Sequence, residues 1–122
     1  MTMQKDQPEP EVIPPKMDRL TPQAALAQLT KTHDAKFLTL LRHGSLDVEI
    51  YKSDRIDHQQ PHTRDEIYVV VSGSGYFLNG HARHPIEAGE MLFVAAGTEH
   101  RFEQFTDDFA TWVFFYGPEG GE

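Results

Sequence analysis

The chain has 122 residues and a mass of 13.9 kDa, enough for one domain built on a single modest core. Its 11 Lys and Arg against 19 Asp and Glu give a formal charge of −8, which disfavours nucleic acid and anionic membrane surfaces as partners. The absence of cysteine excludes disulfides, thiolate zinc sites, iron–sulfur clusters and cysteine nucleophiles.

Residues 1–20 are polar and punctuated by Pro8, Pro10, Pro14 and Pro15, which forbids a regular helix and predicts an extended arm. The arm has no apolar stretch resembling a signal peptide or a membrane span, so a cytoplasmic location is expected by default. From residue 21 the text changes. Thr21 can cap a helix, Pro22 suits its first position, and Ala24, Ala25, Leu26, Ala27 and Leu29 are good helix formers, so residues 21–35 are read as one short helix, Pro22–Lys31, and a lead-in.

Residues 36–122 read as a β-barrel with a C-terminal tail. Short apolar or alternating runs are separated by turn residues throughout, the rhythm of an all-β sandwich or barrel. Lys36–Arg42 and Leu46–Lys52 flank a hairpin at His43-Gly44-Ser45, and Glu66–Ser72 and Tyr76–Leu78 flank a turn at Gly73-Ser74-Gly75. A further hairpin is expected at Asn79-Gly80. His81–His84, Met91–Val94, His100–Phe105 and Phe109–Tyr116 bring the total to eight or nine strands, followed by a polar, glycine-rich tail. The apolar residues on both faces of Glu66–Ser72 and Phe109–Tyr116 exceed what one barrel interior uses, which predicts a homodimer that pairs sheets.

Two stretches carry chemistry. In Pro61–Gly73, His62 stands four residues before Glu66; in Gly89–Gln104, His100 supplies a second imidazole. Imidazole and carboxylate brought together from separated strands suit a divalent transition metal, and iron, manganese, nickel and zinc are all compatible with the pair of histidines and one glutamate. Such a set leaves positions open for water, substrate or dioxygen. Glu66 could also accept a proton, and Tyr68, two residues on and on the same face, could present its phenol to a substrate.

With these residues in view, the chain resembles a single-domain cupin of the conserved-barrel type, a jelly-roll or double-stranded β-helix. His62, Glu66 and Gly73 match the second histidine, the glutamate and the closing glycine of the family's first motif. Gly89, Gly97 and His100 match the second motif, with Ala95 replacing its proline and Gln104 its asparagine. The resemblance implies a metal-binding barrel interior, a small-molecule ligand or substrate, and a homodimer. One departure is informative: Gln60 stands where the first histidine of the HxH element belongs, and Asp54 where the motif opens with glycine. Gln60 shares the strand parity of His62 and could be a neutral fourth ligand. His58 has the same parity but lies about 6–7 Å further along the strand, and a bulge before Pro61 would turn Gln59 inward instead.

The blander readings are equally concrete. Tyr68, Val70, Phe93, Phe102, Trp112 and Phe114 are expected as core or pocket wall, Arg64 and Asp65 as a solvated salt pair, and Arg101 and Glu103 as outward-facing. Gly97 is expected to allow a close backbone approach before His100. Function divides into an enzyme (dioxygenase, isomerase, lyase or hydrolase) and a non-catalytic module that binds or senses a small ligand. The lack of a DNA-binding helix pair for readout favours the enzyme.

Overall fold

In a computed structural model the described residues are 19–32, 35–53, 57 and 61–122. The arm up to residue 18 and the candidate fourth ligands His58, Gln59 and Gln60 lie outside them.

The fold is an all-β jelly roll of two antiparallel sheets with one short helix. Among the described residues the helix α1 spans Pro22–Lys31, and eight strands follow: β1 Phe37–His43, β2 Leu46–Tyr51, β3 Asp65–Ser72, β4 Ser74–Asn79, β5 Ala82–Glu87, β6 Met91–Val94, β7 His100–Glu103 and β8 Ala110–Tyr116. One sheet has the order β1-β2-β8-β3-β6 and the other β5-β4-β7.

The helix begins where its cap dictates. Thr21 is extended, at φ −118° and ψ 152°; its Oγ1 accepts from Ala24 N at 3.2 Å, and Pro22 follows. Ala25 and Leu29, four apart on one face, pack against Leu38, Leu40 and Ile50 on the outer side of the larger sheet. The main core lies between the sheets. There Phe102 meets Tyr68, Phe77 and Phe109 at ring separations of 4.9, 4.9 and 4.8 Å, each in a tilted or edge arrangement that suits the ring quadrupoles.

The expected turn at residues 73–75 is narrower and different in kind. Only Gly73 separates β3 from β4, and these strands belong to different sheets, so the chain crosses the sandwich there. Gly73 sits at φ +78°, and a Cβ on it would come within 2.5 Å of Thr106 Oγ1 and 2.6 Å of Phe109 Cα. Any other residue would meet both penalties.

Register sorts the aromatic residues by face. Glu66, Tyr68 and Val70 on β3 pair with Phe115, Val113 and Thr111 on β8, all buried in the interior. Trp112 and Phe114 therefore point outward, and Phe93, paired with Ile67, does too. Of the six residues expected as core or pocket wall, these three lie on the outer face, where Trp112 packs against the second core under the helix. Phe93 is 50% exposed and Met91 is 67% exposed. Arg101 and Glu103 face outward as expected, their side chains 3.0 Å apart.

Candidate metal centre

Three elements deliver three side chains to one point. His62 lies on the approach to β3, Glu66 is the second residue of β3, and His100 opens β7 in the opposite sheet. Their ligand atoms all lie within 4.8 Å of one another. His62 Nδ1 is 2.8 Å from Glu66 Oε1, and His100 Nε2 is 3.1 Å from the same oxygen. The side chains of all three are almost fully excluded from solvent, at 2%, 0% and 0% exposure for His62, Glu66 and His100.

Second contacts fix the roles of the ring atoms. His100 Nδ1 lies 2.9 Å from the carbonyl of Thr98, which can only accept, so Nδ1 carries the hydrogen and Nε2 presents a lone pair to the centre. Apart from these close approaches to one another, the buried ring nitrogens of His62 and carboxylate oxygens of Glu66 have no hydrogen-bond partner among the described residues. Two imidazoles and a carboxylate that converge away from water suit a cation shared between them. The spacing suits a metal: adjacent ligands at right angles on bonds of about 2.1 Å stand about 3.0 Å apart, close to the two observed separations. Two histidines and one carboxylate are also a donor set typical of first-row transition metals.

Electrostatics agree. Burial disfavours the Glu66 carboxylate, but the His100 and His62 rings beside it outweigh burial and hold it below the ordinary range. Burial likewise works against a charged His100, but the Glu66 carboxylate raises it above its ordinary value. Each shift expresses the attraction of these groups for a positive charge.

Tyr68 completes the inner wall. Its hydroxyl is 3.1 Å from His100 Nε2, and its ring is 5.8 Å from Phe77 and 4.9 Å from Phe102. The structure thus brings together His62, Glu66, His100 and Tyr68, and Gln60 lies outside the described residues. Gly97 serves the site by conformation and not by close approach: it lies at φ +81°, and a Cβ added there would meet nothing within 4 Å.

Arg64 and Asp65 do not pair as expected. Arg64 Nη1 reaches Asp47 at 3.2 Å and its Nε reaches the Gly117 carbonyl at 3.0 Å. Asp65 is buried under the backbone of Ala96 and Glu122. Asp57 is another buried acid with no signal in the sequence: it accepts from the Tyr51 hydroxyl and from Phe102 N, both at 2.8 Å.

Comparison with known proteins places this geometry in a family context. The family model for the cupin domain matches residues 47–116. An uncharacterised protein of Streptomyces coelicolor is 34% identical over 89 residues, which is 71% of this chain and 85% of the relative. The crystal structure of a cupin 2 conserved barrel domain protein from Salinispora arenicola superposes with a TM-score of 0.59 at 17% identity, covering 81% of this chain and 87% of that one. A chain from crystal structures of the DMSP lyases RdDddP and RnDddQII matches at 30% identity with a TM-score of 0.55. That match covers 66% of this chain but only 42% of the lyase chain.

Proposed function

This chain belongs to the cupin domain family, and from that premise we propose that it is a metal-dependent enzyme acting on a small organic molecule by proton transfer, as a lyase or isomerase does. The observation that carries the proposal is the convergence of His62, Glu66 and His100 inside the barrel, with the Tyr68 hydroxyl 3.1 Å from a ligand nitrogen. His62, Glu66 and His100 would hold one divalent transition metal: iron, manganese, nickel or zinc. When bound, the metal supplies Lewis acidity that polarises a carbonyl or carboxylate of the substrate. Gln60 is proposed as an additional neutral ligand.

The protein groups divide the remaining work. Glu66 and the two imidazoles would hold the metal at the point where the substrate's polar end docks, so that its positive charge faces the negative charge that develops there. Tyr68 moves the proton: its hydroxyl lies 3.1 Å from His100 Nε2, beside the centre, and with that nitrogen's lone pair committed to the metal the phenol would ionise next to the cation and, as phenolate, take the proton of an acidic C–H of a substrate docked there, returning to phenol. The aromatic wall of Phe77, Phe102 and Phe115 keeps water away from these groups. A dioxygenase would use the same ligands without needing the phenol, and the sequence similarity to a DMSP lyase chain also supports the lyase reading.

The test begins with elemental analysis of protein purified without a histidine tag, where about one divalent metal per chain is expected. His100→Ala should abolish that occupancy, and unchanged occupancy would place the centre elsewhere. Metal-loaded protein incubated in D2O with a panel of small carboxylic acids, sugar acids and sulfonium carboxylates should show C–H exchange or elimination by NMR. Tyr68→Phe should lose that turnover while keeping its metal. Oxygen uptake in place of exchange would return the assignment to a dioxygenase, and metal-independent ligand binding without turnover would make the protein a sensing or binding module.

We also infer a homodimer. The outer face of β3, β6 and β8 presents Ile67, Val69, Met91, Phe93 and Phe114, and the charged Asp65 on the same face of β3 is buried. On a molecule of net charge −8, a neutral apolar face is where a second, equally charged copy can approach.

A further inference from the structure

Asp65 immediately precedes Glu66 on β3, so strand alternation turns it away from the metal centre. It is nevertheless 94% excluded from solvent, because two other segments fold over it. Its Oδ1 accepts from Ala96 N at 2.8 Å, in the turn between β6 and β7 that leads to His100. Its Oδ2 accepts from Glu122 N at 3.0 Å. Backbone bonds reinforce both links: Gly97 N donates to the His62 carbonyl at 2.7 Å, and Gly120 N donates to the Thr63 carbonyl at 2.7 Å. The stretch carrying His62, the strand carrying Glu66 and the turn preceding His100 are therefore joined beside one carboxylate.

We propose that Asp65 is a positioning residue of the metal centre, a clamp that uses the backbone of residues 96 and 122 to hold the three ligand-bearing segments in register. The proposal rests on His62, Glu66 and His100 being metal ligands. Its physical basis is that a metal site tolerates displacement of its ligands by only about 0.5 Å. β3 and β7 lie in different sheets, so no strand ladder fixes their separation, and the Asp65–Ala96 bond supplies a direct tie near the site.

Three variants and a control test the assignment in the full chain. Asp65→Ala removes both bonds. Asp65→Asn keeps an acceptor for Ala96 N but turns an amide donor toward Glu122 N. Gly121→Val leaves Asp65 in place and pries the tail away, since a Cβ on Gly121 would stand 3.0 Å from Asp65 Oδ1 and 3.2 Å from Ala96 Cβ. Ser45→Ala is the control: Ser45 Oγ accepts from Gly117 N at 3.1 Å and so anchors the same tail without touching Asp65 or residues 95–97.

Each protein is titrated with Zn²⁺ against a competing chelator and with Co²⁺ by visible absorption, alongside urea unfolding. Loss of a supporting contact behind metal ligands costs about 10–100-fold in affinity, and that loss is expected for Asp65→Ala. A loss of about tenfold is expected for Gly121→Val and for Asp65→Asn, together with an altered Co²⁺ spectrum. Ser45→Ala should lower stability without changing either metal readout. The proposal is overturned if the Asp65 and Gly121 variants bind both metals as the wild type does, or if Ser45→Ala loses affinity as they do. Should Asp65→Ala fail to fold, the other two variants decide. A wild type that binds neither metal would bring down the metal-centre reading itself, whereas tight wild-type binding with unaffected variants would remove only the role of Asp65.

Discussion

His100 shows how much one backbone atom can decide. The Thr98 carbonyl holds a hydrogen on Nδ1, which leaves Nε2 facing Glu66 and Tyr68, and no residue type in the sequence announces that carbonyl. A pH dependence of opposite sign with and without metal follows. In metal-free protein, the raised His100 contributes stability that is complete below its unfolded value near 6.5 and is lost as pH rises through its folded value; the lowered Glu66 contributes stability that is complete above 4.5 and lost in acid. Chelator-treated protein should therefore lose thermal stability as the pH is raised above 6.5. Zinc-loaded protein should hold or gain stability over the same interval, because the metal takes the deprotonated imidazole. Parallel curves for the two forms would contradict this. The convergence of His62, Glu66, Tyr68 and His100 was legible because motif spacing and strand parity are local properties of the sequence. Asp65 was not, because what buries it is a tail and a turn remote in the chain.

Among the elements, the helix was readable to its ends: Thr21, Pro22 and the apolar pair Ala25 and Leu29 agree on cap, start and buried face. The strands were readable as strands, but their partners were not. A glycine-rich break between two apolar runs looks alike whether the chain reverses within a sheet or passes to the other one, and only the register shows that Gly73 does the latter. This yields a graded expectation for two glycines with positive φ. Gly44 lies at φ +59° at a hairpin tip with no atom within 4 Å of a Cβ, so Gly44→Ala should cost only the backbone penalty of about 1–2 kcal/mol. Gly73→Ala adds overlap with the backbone of Phe109 at 2.6 and 2.8 Å and should cost several times as much in urea unfolding. Equal costs would mean that β3 and β4 can part without disturbing the strand that carries Glu66.

At the scale of the whole molecule, the sequence indicated an excess of apolar surface but assigned part of it to the wrong face. Phe93, Trp112 and Phe114 belong to the outside of the larger sheet, where α1 covers Trp112 in part and leaves Phe93 and Met91 open. Phe93→Lys should accordingly convert a dimer to a monomer in size-exclusion chromatography with light scattering, with little change in metal content, since the side chain points away from Glu66. A wild type that is already monomeric at micromolar concentration would refute the pairing. Within each molecule, the asymmetry between faces has a kinetic side. With the side chains of His62, Glu66 and His100 almost fully excluded from solvent, a metal held there would exchange slowly, through the same route that admits a substrate. The ion recovered from purified protein would then record which metal was within reach while the barrel was closing, and not which one the three ligands would choose at equilibrium.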